Sequence, residues 1–268
     1  MKRKKEQLGR LETKVLSYVQ LTHKNVIRSG ELVKPLNLEP VQERKLLSRM
    51  AQSGIIVRLT RGAYLIPLRI PAGCVYNPGE YLILQELMKL INGKYQISGF
   101  NAFNFYGFSE QIPSRVYVYN NKLSCERNIG GTEFIFMKVD DNRLGATYEF
   151  VSPDGIKVIM SSKVRTLLDA VYDWSRYNTI PKAYKWITNC IDEDESLVKE
   201  FINIVIKFGN QGTLRRVGYL LSSYNVEENF LEKLKKSIRK SKSLIPWIPT
   251  KPAKGTISKE WGIIVNGK

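Results

Sequence analysis

Residues able to move protons or hold a metal are few and scattered in this chain. The only histidine is His23, at the end of a helical stretch, where a surface or capping role is expected. The three cysteines, Cys74, Cys125 and Cys190, form no CxxC pair, so the pattern predicts no zinc site and fits a reducing compartment. The adjacent acids Asp140 and Asp141 read as a turn. Pro153-Asp154 lacks the Glu-x-Lys that would complete a nuclease motif, and the acid run "IDEDES" reads as a solvated turn between helices. Neither a GxxxxGK[ST] phosphate loop nor a GxSxG elbow occurs. No catalytic centre, metal site or cofactor site is expected.

The chemistry that remains is that of cations meeting a polyanion. The 268 residues carry 42 Lys and Arg against 25 Asp and Glu, a net charge of +17. Residues 1–70 account for +10 and residues 233–268 for +9, while 71–232 carry −2. Charge so placed points to nucleic acid or an anionic surface. The basic start "MKRKKEQLGRLETK" is followed by no apolar core segment, and "YLILQELMKLI" is interrupted by Gln85, Glu86 and Lys89. Neither a signal peptide nor a membrane span is expected, and the expected location is cytoplasmic.

The elements that must position the N-terminal cations are three helices and a hairpin. Leu11, Val15, Tyr18 and Val19 recur at helical spacing. A short helix begins near Ser29 and ends by Leu38. The next runs from Pro40 to Ser53, with Pro40 where its missing N–H costs nothing and Gly54 as its stop. "GIIVRLTRGAYLIP" then reads as two strands about a tip at Thr60-Arg61-Gly62. This order is that of a winged helix-turn-helix. On the third helix Leu46, Leu47 and Met50 mark the buried stripe. Gln42, Arg44, Lys45, Ser48, Arg49 and Gln52 form the outer face, expected to enter a DNA groove. Arg58, Thr60 and Arg61 are expected at phosphates or the minor groove. Glu43 lies near the buried side, and partial exposure in the helix's first turns is the simplest account of it.

Beyond this, "LRIPAGCVYNPGEY" reads as a linker. The expected organisation is a DNA-binding domain over 1–70, a linker over 71–78 and a larger domain over 79–268. "EYLILQELMKLI" and "SGFNAFNFYGF" read as helices, and "RVYVYNN" and "TEFIFMKV" as strands. "TYEFVSPDGIKVIM" reads as a hairpin. The aromatics Phe100, Phe103, Phe105, Tyr106, Phe108, Tyr117 and Tyr119 are spaced like a core rather than a base-stacking platform. Helical periods follow over 162–174, 182–192, 196–208, 212–223 and 227–240. The expected class is α+β, with a small sheet and a C-terminal helical bundle. Lys235, Lys236, Arg239 and Lys240, with Arg215 and Arg216 on a preceding helix, are expected to form a second basic surface.

The winged-helix segment, "SGFNAFNFYGFSEQIPSRVYVYNN", "SSKVRTLLDAV", "GNQGTLRRVGYLL" and "KGTISKEWGIIVN", in that order, resemble the AbiEi antitoxins. These are the regulatory halves of bacterial AbiE abortive-infection pairs. The resemblance implies a repressor that binds inverted repeats in its own operon through the N-terminal domain. It implies antitoxicity in the C-terminal domain, opposing a nucleotidyltransferase toxin without a stable complex. Apart from the resemblance, the second basic surface over 233–268 is expected either to touch flanking DNA or to dock a neighbouring protomer, that is, self-association on DNA. A nucleic-acid-processing enzyme targeted by the winged helix is the alternative of a different class; the missing catalytic constellation argues against it.

Overall fold

The computed structural model describes residues 8–69, 73, 75–224 and 226–267. The basic start over 1–7, Cys74 and part of the expected 71–78 linker lie outside the described residues. The chain begins with α1 (Arg10–Thr22), β1 (Val26–Arg28), α2 (Val33–Leu36), α3 (Pro40–Gln52), β2 (Val57–Thr60) and β3 (Ala63–Leu65). The three strands pair antiparallel in the order β1-β3-β2. The helices pack Val15, Leu16, Val19, Leu46, Leu47 and Met50 into one core. Strand β1 was not anticipated; three residues are too few to display an alternation. The expected helix from Ser29 shrinks to the single turn α2, because Gly30 sits at φ 101° and breaks it.

Next come α4 (Glu80–Leu90), β4 (Tyr95–Ile97), α5 (Gly99–Phe105), β5 (Arg115–Asn120), β6 (Cys125–Ile129), β7 (Thr132–Lys138), β8 (Thr147–Val151) and β9 (Lys157–Ser161). The sheet is larger than expected, with six strands in the order β6-β7-β5-β4-β9-β8. Pairs β5–β7 and β4–β9 are parallel and the others antiparallel. Alternation along β5 and β7 serves two cores. Val116, Val118, Phe134 and Phe136 enter one, while Tyr119, Ile135 and Met137 enter the other.

The helical half comprises α6 (Lys163–Tyr172), α7 (Trp174–Tyr177), α8 (Lys182–Glu193), α9 (Leu197–Phe208), α10 (Gln211–Leu221) and α11 (Glu228–Lys236). Each expected helical segment is found. The last stops at Lys236, and the chain closes instead with a small sheet of β10 (Ile245–Pro246), β11 (Thr256–Ser258) and β12 (Ile263–Val265). The class is mixed α+β.

The N-terminal sheet is buried on both faces. Tyr64 joins the core of α1 and α3, as do the flanking Ile56 and Ile66. Val57, Leu59 and Leu65 instead join the core formed by α4 and the six-stranded sheet. Tyr76 N–H donates to Gly54 O at 2.7 Å. Gly130, in the β6–β7 turn at φ 61°, lies under Val57: a Cβ there would sit 3.2 Å from Val57 Cγ1 and 3.1 Å from Ile83 Cδ1. Each buried Val or Leu of this face stabilises by roughly 1.5–3 kcal/mol.

Candidate nucleic-acid interface

Helix α3 is set by local chemistry at both ends. Pro40 opens it, and the Glu39 N–H donates to Gln42 Oε1 at 3.1 Å. Ser53 caps the other end through its hydroxyl to Arg49 O at 3.0 Å, and Gly54 turns away at φ 78°. With Leu46, Leu47 and Met50 buried, Gln42, Arg44, Lys45, Ser48, Arg49 and Gln52 are all exposed. Arg44 Nε is held by Pro40 O at 3.3 Å, so its guanidinium lies along the first turn. No acidic side chain forms an ion pair with these cations among the described residues.

Glu43 is not partly exposed, as expected, but 1% exposed. Its carboxylate accepts the backbone N–H of Gly30 at 2.6 Å and of Leu32 at 2.8 Å. Two charge-assisted hydrogen bonds thus tie α3 to the turn that precedes α2. The sequence signal was an acid on an apolar stripe; its partners, eleven and thirteen residues upstream, could not be read from spacing.

The wing carries Arg58 and Arg61 exposed, with Thr60 half-buried between them. Arg58 Nε reaches Thr60 O at 3.4 Å, and Gly62 supplies the φ of 75° at the tip. Beside the tip, Ser29 N–H donates to Gly62 O at 2.8 Å, which brings the exposed Arg28 of β1 next to the wing. The three-residue β1 leaves no pattern in the sequence, so nothing there marks Arg28 as a neighbour of the wing. His23 caps α1 in the left-handed region and is exposed.

The C-terminal cations divide into two groups. Lys236, Arg239 and Lys240 are exposed, and Lys235 is half-buried and paired with Glu260. Arg215 and Arg216 correct the expectation of a basic surface: each is only 7% exposed. They lie on the inner side of α10, where the closing sheet covers them. Arg215 Nε donates to Trp261 O at 3.0 Å and Nη2 to Ser243 O. Arg216 Nη2 donates to Pro246 O at 3.2 Å. Burial pushes the Arg216 guanidinium below its ordinary value. On the same helix Gly218 receives the Trp261 ring, where a Cβ would lie 2.0 Å from Cζ3.

A second buried polar group lies inside the fold. Asp169 Oδ1 accepts from Arg165 Nε at 2.9 Å and Arg143 Nη2 at 2.7 Å. Arg165 also donates to Gly145 O and Arg143 O. The Tyr119 hydroxyl donates to Asp173, whose carboxyl burial pushes above the usual range. These groups tie α6 to the loop between β7 and β8; their charges are consumed in structure. Asp141 likewise pairs with Lys94 at 3.0 Å. The aromatic run 97–120 is largely core, apart from Phe105, which is 45% exposed. Among the described residues no three or more His, Cys, Asp or Glu converge, and no helix is long and apolar enough to cross a membrane.

The model of a family described as "Transcriptional regulator, AbiEi antitoxin" matches residues 15–67. The N-terminal segment thus carries the AbiEi family match. The matched residues take in most of α1, all of α3 and the wing, so the AbiEi resemblance read from the sequence holds for the segment that presents the cationic face. The C-terminal stretches lie outside the match. Over 97% of this chain and 92% of the other, the fold is similar to the crystal structure of the RV2827C protein from Mycobacterium tuberculosis. The TM-score is 0.57 at 14% identity, which is a likeness of fold alone. No curated protein matches the chain.

Proposed function

We propose that this chain is a DNA-binding regulator and antitoxin of an AbiE-type pair, acting in the cytoplasm and without enzymatic activity. The observation that carries the reading is the outer face of α3. Six polar or cationic side chains stand exposed beside a two-arginine wing, in the segment matched by the AbiEi model. Residues 1–70 form the reading unit and residues 79–268 the antitoxin unit, with 71–78 as linker. The α3 face reads base edges in the major groove of inverted-repeat operator DNA. Arg58, Thr60 and Arg61 hold the phosphates. Lys236, Arg239 and Lys240 supply a further cationic surface that touches flanking DNA or a neighbouring protomer. The functional partner is a nucleotidyltransferase toxin, opposed without a stable complex.

The test is a gel shift on the DNA upstream of the chain's own reading frame, paired with a growth assay against the toxin encoded beside it. Sequence-preferring binding lost on Lys45→Ala with Arg49→Ala supports the regulator. Failure to protect cells from the adjacent gene product removes the antitoxin reading. Magnesium-dependent turnover of nucleic acid that dies on a single point mutation would replace both with an enzyme.

A further inference from the structure

Arg215 is a buried guanidinium without a carboxylate partner among the described residues. A charge taken out of water is ordinarily matched by an opposite charge. Here the partners of Nε and Nη2 are main-chain carbonyls, and Nη1 reaches only Ser243 Oγ at 3.5 Å. The position is built rather than incidental. Gly262 at φ 62° leaves the space the guanidinium fills, since a Cβ there would lie 2.0 Å from Nη2.

Arg215 lines a cavity of about 320 Å³ between the end of α11 and the closing sheet. Arg239, Lys240 and Lys259 stand around the same cavity, exposed and without an ion pair among the described residues. Its one acid, Glu260, is taken by Lys235. Leu244 and Ile257 add apolar wall that is 42% and 53% exposed. Trp261 also lines it, and its buried indole N–H finds no acceptor among the described residues.

We infer that this cavity is a phosphoanion site, seating the phosphates of a nucleotide on Arg215, Arg239, Lys240 and Lys259 with Leu244 and Ile257 against its sugar or base. The Arg215 guanidinium is fixed by its main-chain partners, and its charge, with the weakly engaged Nη1, adds to the mobile guanidinium of Arg239 and the ammonium groups of Lys240 and Lys259, a set that suits tetrahedral oxyanions. The apolar wall separates this ligand from a bare inorganic ion. The phosphate could belong to a free nucleotide or to a nucleic-acid backbone, and the chemistry of recognition is shared. The cavity's ligand is independent of operator binding by α3, and its primary measurement contains no DNA.

The experiment is calorimetric titration of the full chain at low salt with ATP, inorganic pyrophosphate and adenosine. Expected are one saturable site per chain, ATP tighter than pyrophosphate, and no binding of adenosine; pyrophosphate as tight as ATP would overturn the nucleotide assignment. Arg239→Glu with Lys240→Glu should weaken ATP by at least about tenfold. Lys14→Glu with Lys138→Glu, which makes the same change in net charge away from the cavity, should leave it within about twofold. Arg215→Gln should abolish binding; if that variant loses its fold, the exposed rim pair decides. Adding a short duplex separates the sources: displacement of ATP assigns the seat to a backbone phosphate, and simultaneous binding assigns it to a free nucleotide. Absence of saturable binding, or equal weakening by the two charge-matched pairs, overturns the site.

Discussion

The carboxylate of Glu43 on α3 accepts the backbone N–H of Leu32, just before α2, at 2.8 Å, with Gly30 N–H sharing the group at 2.6 Å. This bond fixes the angle at which the outer face of α3 is presented. Glu43→Ala leaves the buried Leu32 N–H without its acceptor, while the N–H of the exposed Gly30 can turn to water. The expected loss is about 1–3 kcal/mol, for the one buried donor left without an acceptor. Glu43→Gln keeps one acceptor oxygen and should lose less. Urea unfolding of the three proteins checks the order; equal stability of Glu43→Ala and the parent would refute it.

Replacing Lys45 and Arg49 by Ala should weaken operator binding by roughly 1–3 kcal/mol where a side chain makes a good bidentate base contact. Binding to unrelated duplex should change less. Gel shifts on both DNAs at one salt concentration make the comparison, and an unchanged shift excludes α3 as the reading element.

Arg58→Ala and Arg61→Ala address the wing. Removing one arginine from one phosphate should flatten the log–log salt dependence by about 0.9, with affinity falling alike for all sequences. A salt series on specific and random duplex measures it. A weakened sequence preference at constant slope would mean that the wing reads bases.

Leu59→Ala tests the shared sheet. Leu59 faces the core of α4 and the six-stranded sheet, not that of α1 and α3. Truncation should cost about 2–5 kcal/mol. A 1–75 fragment, with Val57, Leu59 and Leu65 uncovered, should melt far below the full chain. A fragment as stable as the whole protein would show that the second core contributes nothing to the wing.

The regular helices were legible because their periods are long. The outer face of α3 follows from three buried residues, and α6 and α8 to α11 announce themselves in the same way. Strands β1, β4 and β10 to β12 were not legible. They have two or three residues each, and long-range pairing rather than local pattern makes them strands. Arg215 and Arg216 were misread for the same reason. Beside one another on an amphipathic helix they look like surface charge. Only the arrival of Trp261, Ser243 and Pro246 from the far end of the chain encloses them.

The two-faced N-terminal sheet has a consequence for synthesis. Residues 8–69 leave the ribosome before the residues that cover them, with Val57, Leu59 and Leu65 forming an apolar face still uncovered. Their cover comes from α4, from strands β5 and β7 and from the β6–β7 turn at Gly130. At ordinary elongation rates that stretch follows within about ten seconds. A nascent chain therefore matures in a set sequence. The N-terminal half gains its full stability only after the sheet of the other half has been made, so a prematurely terminated product would be sticky and readily degraded rather than an independently folded fragment.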